Sequence, residues 1–138
     1  MEIPSPDSST ANAWGDADTP YLQLGGDERV RSLTDAFYDH VANDELMARI
    51  HPEDLTESRE KLYEFLSGWL GGPALYIKKH GHPRLRMRHM PFPIDEAAVD
   101  AWLSCMRQAM SDVGIEDPLR SFLDGRFEHT ARFMQNRG

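Results

Sequence analysis

Residues 81–110, GHPRLRMRHMPFPIDEAAVDAWLSCMRQAM, combine an irregular half with a regular one. Prolines 83, 91 and 93 interrupt the first half, where periodicity is weak, so the stretch 74–93 is predicted to be a loop with one or two short helical turns. From Asp95 onward, apolar residues recur every three or four positions, which predicts a long amphipathic helix that ends near Gly114. Its apolar stripe consists of Val99, Trp102, Leu103, Met106, Met110 and Val113.

The same spacing on both sides of this segment predicts three further helices. One runs over residues 27–43 with Asp27 as its N-cap, and a short turn around Leu46 and Met47 follows it. A second covers about 56–70 and stops at Gly71-Gly72-Pro73, and the last begins at Asp117-Pro118. Because two-residue alternation persists nowhere in the chain, the predicted fold class is all-α.

Composition limits the function classes that the chain can serve. It has 138 residues and a formal net charge of −8, which disfavours nucleic acid and anionic membranes as partners because both would repel it. Its one cysteine, Cys105, excludes an intrachain disulfide, and no apolar stretch is long enough to span a bilayer, so a cytoplasmic location is expected. Residues 1–20 are expected to form a flexible extension that docks through Trp14, and residues 21–138 to form one domain.

Three histidines lie in the basic, proline-interrupted stretch and are candidate metal ligands. His80 and His82 suggest a metal site, although no Cys, Asp or Glu stands nearby at ligand spacing. His89 is the better candidate, because Pro91 ends the local helical turn and leaves carbonyl groups that can accept the Nδ1 proton. Nε2 would then be a neutral, oriented ligand. From the residues alone, His89 is also compatible with a core or a surface histidine, which lone histidines more often are.

Four segments resemble the group II truncated haemoglobins in their order and spacing. They are FYDHVANDE, EFLSGWLGGPALY, GHPRLRMRHMPFPI and DAWLSCM. The resemblance extends from about Tyr21 to Asn136, and it implies a two-over-two helical sandwich around haem b. It also implies that His89 is the protein ligand of the iron.

The resemblance further implies which residues surround the haem. Tyr38, Trp102 and His51 would carry the polar groups on the distal side, where ligands bind, and Ser58 would occupy the usual position of a distal histidine. Residues expected to contact the ring or its propionates are Leu62, Phe65, Lys61, Tyr76 and Arg88.

The activity implied by the resemblance is reversible binding of O2, CO or NO. Two hydrogen-bond donors, Trp102 and Tyr38, would stabilise bound O2 and slow its release. Slow release suits holding or reacting O2 better than delivering it. The resemblance allows O2 sensing or storage, oxidation of NO with an electron-donating reductase, and peroxide chemistry, whereas the oligomeric state cannot be read from the chain. Two other classes stay open: a haem-free helical interaction module, and a metal hydrolase that uses His80 and His82.

Overall fold

The computed structural model describes residues 14–15, 17–84, 87, 89 and 94–137. Its helices are α1 (Pro20–Leu24), α2 (Asp27–Asn43), α3 (Glu45–Ile50), α4 (Thr56–Trp69), α5 (Leu75–His80), α6 (Glu96–Asp112) and α7 (Leu119–Met134). These residues contain no strand, so the all-α prediction is confirmed. None of the helices described is both long and apolar enough to cross a lipid bilayer.

The core lies between two pairs of helices. Helix α2 packs on α6, while α4 packs on α2 and α7 packs on α6. The predicted apolar stripes face this junction, and each fully buried large side chain contributes about 1.5–3 kcal/mol of stability. Completely buried members are Val30, Leu33, Phe37 and Val41 of α2, Met106 and Met110 of α6, and Leu123 of α7.

Helix ends follow the capping residues, with two corrections to the prediction. The last helix, predicted to begin at Asp117-Pro118, begins at Leu119 with Pro118 as its N-cap and no side-chain cap. The N-cap of α2 is Gly26, whose φ of 85° suits glycine, and not Asp27. Asp27 instead begins the helix, and its carboxylate accepts a hydrogen bond from the Tyr63 hydroxyl of α4. The Asp95 carboxylate caps α6 by accepting the backbone N–H of Ala98 at 2.8 Å, as the sequence pattern predicts for a helix that starts there.

Trp14, the residue through which the predicted extension is expected to dock, packs into the core. Its side chain is 1% exposed, its ring centroid is 5.1 Å from that of Phe122 on α7, and its indole N–H donates to the Ala17 carbonyl at 2.9 Å. Helix α1, which follows at Pro20, leaves no signal in the sequence, because five residues are too few to show helical periodicity.

Candidate functional site

An aromatic arc of eight rings links helices α2, α4, α5, α6 and α7 with the corner after α3. Five predicted site residues belong to it: Tyr76, Phe65, Trp102, Tyr38 and His51. In order, the rings are Tyr76, Phe65, Trp69, Phe127, Trp102, Phe37, Tyr38 and His51, with neighbouring centroids 4.9–6.4 Å apart. Residues that lie far apart in the sequence therefore share one continuous wall.

Tyr38 lies on the buried face of α2 with its ring edge-on to Phe37, at a centroid distance of 4.9 Å. The side chain is 7% exposed, and its hydroxyl has no hydrogen-bond partner within the described part of the chain. Burial raises the pKa of this phenol to about 12, an effect that the positive charge of Arg59 partly offsets. Tyr38 therefore remains a neutral O–H donor at physiological pH.

His51 stands at the corner after α3, and a backbone carbonyl holds its ring. Its Nδ1 lies 2.8 Å from the Met47 carbonyl oxygen, and its ring centroid is 6.0 Å from that of Tyr38. Since a carbonyl can only accept, Nδ1 carries the proton in this bond. In the neutral ring, Nε2 is consequently left as an acceptor beside Tyr38.

Trp102 occupies the middle of the arc, between Phe37 and Phe127. Its ring centroid is 5.1 Å from Phe37 and 5.8 Å from Phe127. The side chain is only half-buried, and its indole N–H has no hydrogen-bond partner among the described residues. Neither donor atom is sealed in the protein, since Arg126 Nε is the fully buried side-chain donor without a partner in the described part of the chain. The Tyr38 hydroxyl and the Trp102 N–H therefore open on space outside the packed core, where each can donate to a polar ligand.

Arg59 was not among the predicted site residues, yet it clamps α4 to α2 beside Tyr38. Its guanidinium lies 5.8 Å from the Tyr38 ring centroid. Nη1 lies 3.3 Å from Asp35 Oδ1, and Nη2 lies 3.0 Å from Asp39 Oδ1. The sequence signal for this clamp is the spacing of the two aspartates, which are four residues apart on one helix and so share a face.

A carboxylate contacts His80, so the ring nitrogen that a metal hydrolase would use already has a protein partner. Its Nε2 lies 3.0 Å from Oε1 of Glu64, a buried α4 residue whose other oxygen is 3.2 Å from Lys79 Nζ. Within the described ranges, no three His, Cys, Asp or Glu side chains are grouped as metal ligands require. His82 is also occupied locally, since its Nδ1 accepts the backbone N–H of Arg84 at 3.1 Å.

His89 is half-buried, has helical backbone geometry and lies near the end of α7. The Asn136 amide Nδ2 donates to the His89 carbonyl at 3.2 Å, while Asn136 Oδ1 accepts the backbone N–H of Ile94 at 2.8 Å. Asn136 therefore fixes the backbone of the predicted iron ligand and also the start of the segment that leads into α6.

The remaining predicted contacts lie along α4 and α5. Leu62 and Phe65 are half-buried and pack against the core, and Ser58 is half-buried one turn earlier. Lys61 is exposed, with its Nζ 2.9 Å from Glu57 Oε1. Arg88 lies outside the described residues.

The composition of this site fits a haem. A flat macrocycle needs apolar and aromatic walls, an imidazole for its iron and polar donors on the opposite side. Large apolar side chains around α4 to α6 pack against the core without being sealed by protein, and the phenol and indole donors are unpaired. These residues are Leu55, Leu62, Phe65, Trp69, Leu75, Ile94 and Trp102.

Comparison with known proteins gives one consistent family. Residues 19–136 match the model of the bacterial-like globin family. A relative named group 2 truncated hemoglobin YjbI, from Bacillus subtilis (strain 168), is 52% identical over 117 residues, which span 85% of this chain and 88% of the relative.

Solved structures show the same relationship in three dimensions. The crystal structure of a group II truncated hemoglobin from Bacillus anthracis has a TM-score of 0.85 at 44% identity and covers 86% of this chain and 92% of its own. The X-ray structure of a truncated oxygen-avid haemoglobin from Bacillus subtilis has a TM-score of 0.82 at 52% identity, with 86% and 99% covered. The two-over-two architecture predicted from the sequence is thereby confirmed.

Proposed function

Since the chain belongs to the bacterial-like globin family, as a group II truncated haemoglobin, we propose that it uses haem b to bind O2 and other small diatomic ligands. The family implies a haem cofactor and ligand binding in general. The observation that carries the proposal for this chain is the pair of unpaired donors, the Tyr38 hydroxyl and the Trp102 indole N–H, on one aromatic arc. A haem-free interaction module is not favoured.

In this proposal the predicted residues hold the cofactor in complementary ways. His89 is the ligand of the iron, and Leu62 and Phe65 pack on the ring. Ser58 is a small side chain and leaves room for ligands on the distal side. Lys61, Tyr76 and Arg88 contribute their polar groups to the propionates. When bound, haem supplies an iron centre that takes up O2, CO or NO.

Polar side chains would then control the affinity for the ligand. Trp102 and Tyr38 can each donate a hydrogen bond to a partly charged ligand atom, and such a bond is worth about 1.5–3 kcal/mol. That range corresponds to roughly a ten- to hundredfold change in affinity for each donor. His51 complements them, because the bond between Nδ1 and the Met47 carbonyl leaves Nε2 of the neutral ring as a hydrogen-bond acceptor on the same arc. Slow release of O2 agrees with the description of the Bacillus subtilis structure as oxygen-avid.

Slow release suits reaction better than delivery, so we include oxidative detoxification of NO or peroxide in the proposal. Repeated turnover with O2 needs electrons from a reductase. A cytoplasmic setting agrees with Cys105, the single cysteine of the chain, which is a buried thiol. Burial raises its pKa to about 11, so it stays in the unreactive thiol form.

Visible absorption spectra test the proposed function directly. The purified protein, reconstituted with haem, should show a Soret band that shifts when dithionite and then carbon monoxide are added. His89→Ala should lose or alter this band, whereas His129→Ala, at an exposed position on α7, should leave it unchanged. Absence of a Soret band in reconstituted wild-type protein would leave the helical interaction module as the surviving account.

A further inference from the structure

Charge is distributed unevenly along this acidic chain. Of its 23 Asp and Glu residues, none lies between Phe65 and Ile94. The same stretch includes α5 and carries several cations, so it is a local basic region in a protein whose formal net charge is −8. Such separation produces a local potential opposite in sign to that of the whole molecule.

Helix α5 presents one side to the candidate site and the other to solvent. On the inner side, the Tyr76 ring centroid lies 6.3 Å from that of Phe65, and His80 bonds to Glu64 of α4 at 3.0 Å. On the outer side, Ile77 is 55% exposed and Lys78 is exposed. The helix therefore lies between the Tyr76 end of the aromatic arc and bulk water.

Five residues within the eleven positions 77–87 make up what we term the docking face. It combines exposed cations with two of the most exposed large apolar side chains described, and Lys79 remains mostly exposed although its Nζ is 3.2 Å from Glu64. Met87 is 58% exposed. The members of the docking face are Ile77, Lys78, Lys79, Arg84 and Met87.

We propose that the docking face binds an acidic electron-transfer protein that reduces the haem-loaded globin; this inference rests on the proposed function. Exposed cations interspersed with exposed apolar side chains suit a small, transient interface with an acidic partner. An extended polyanion, such as RNA or an anionic membrane, would also meet the acidic remainder of the molecule and be repelled. A globular partner of limited size contacts the basic region alone.

The position of the docking face also suits electron entry. Tyr76, on the inner side of α5, belongs to the same arc as Phe65 and Trp102. A partner bound to the outer side of α5 is therefore separated from this end of the arc by the thickness of one helix. The step is a single-electron transfer. The partner loses one electron, the globin gains it as its iron passes from ferric to ferrous, and no bond forms or breaks.

A chemically reduced flavodoxin, which is a small acidic FMN protein, serves as the probe. Reduction of the haem-loaded ferric globin, followed by stopped flow, should be fast at low ionic strength. The rate should fall as salt is added, because salt screens the attraction between the acidic partner and the docking face. Lys78→Glu should lower the second-order rate by on the order of tenfold at low salt and flatten the salt dependence. Arg49→Glu, at an exposed position on α3, makes the same change in net charge (−8 − 2 = −10) and should alter the rate less than about twofold.

A second readout does not depend on electron transfer. NMR titration with oxidised flavodoxin should give a weaker Kd for Lys78→Glu and for Ile77→Ser than for Arg49→Glu. Equal effects of Lys78→Glu and Arg49→Glu on rate and Kd would overturn the proposal, as would stronger binding to RNA or to phosphatidylglycerol vesicles than to the protein probe. If Lys78→Glu lost the Soret band while Arg49→Glu kept it, the proposal would also be overturned, because Lys78 would then serve to retain haem. Loss of the band in wild-type protein instead removes the proposed function, and it is seen before any partner is added.

Discussion

At the residue scale, Trp102 gives the sharpest prediction about ligand affinity. Its indole N–H has no partner among the described residues, and replacing it with phenylalanine keeps an aromatic ring between Phe37 and Phe127. We expect Trp102→Phe to raise the O2 dissociation rate by at least about tenfold, because one hydrogen bond to a partly charged ligand is lost. Stopped-flow displacement of O2 by carbon monoxide measures this rate.

Trp69→Phe is the matched control, since Trp69 is another half-buried indole on the same arc and stacks on Phe127 at 4.9 Å. It should leave the rate within about twofold of wild type, as no ligand hydrogen bond is removed. An unchanged rate in Trp102→Phe would exclude the indole from ligand stabilisation. Equal increases in both variants would assign the effect to packing.

Helical periodicity predicts which residues face the core, but not which polar side chains form hydrogen bonds between elements. The stripe that contains Trp102 could be read from spacings of three and four, and the structure places it on the arc. The link from His51 to the Met47 carbonyl could not be read in this way, because it depends on the backbone angle at a corner. The Arg59 clamp depends on how α4 lies against α2, which is a tertiary property.

At the element scale, the attachment of α5 to α4 depends on Glu64, whose side chain is 8% exposed. Burial raises the pKa of Glu64, but the hydrogen bonds from His80 and Lys79 outweigh burial and hold the pKa below its ordinary value. Glu64→Gln should therefore lower the free energy of unfolding at pH 7 by about 1–3 kcal/mol, through the loss of charge-assisted bonds. Urea denaturation measures the difference.

The pH dependence of this effect has a definite sign. A carboxylate with a lowered pKa stabilises the folded state above its ordinary pKa, and that contribution disappears as the pH falls through the folded-state value. Wild type and Glu64→Gln should therefore converge in stability under acid conditions. Glu57→Gln, at an exposed residue that pairs with Lys61, should have a much smaller effect. A stability difference that persists unchanged in acid would show that the charge of Glu64 is not its cause.

Long elements were predictable in their bounds, whereas short ones were predictable only in part, for a physical reason. Helices α2, α4, α6 and α7 each show several repeats of a stripe, and their observed bounds lie close to the predicted ones. The short helical turn expected in 74–93 is present as α5. Helix α3, by contrast, shows in the sequence only as a turn, because six residues owe their helical state to packing on α2 and α6 more than to their own pattern.

At the scale of the whole molecule, the core and the candidate site depend differently on the cofactor. The completely buried side chains lie where α2, α6 and α7 meet, and this junction is closed by protein alone. Helix α5 has no buried residue and adjoins the half-buried aromatic side chains that a haem would cover. Removal of the haem should consequently lower stability by local loosening and not by collapse of the core.

Hydrogen exchange measured by mass spectrometry on the haem-free and haem-loaded proteins tests this expectation. Haem removal should reduce protection in α5 by at least about tenfold, while the centres of α2 and α6 keep most of theirs, since opening α5 exposes little apolar surface. Cys105 provides an internal check, because its thiol is buried in α6 and should resist disulfide reagents in both forms. If protection fell equally in every helix, the cofactor would be an integral part of the core. The helix pairs could then not be regarded as a scaffold that stays folded without haem and presents the aromatic arc to its ligand.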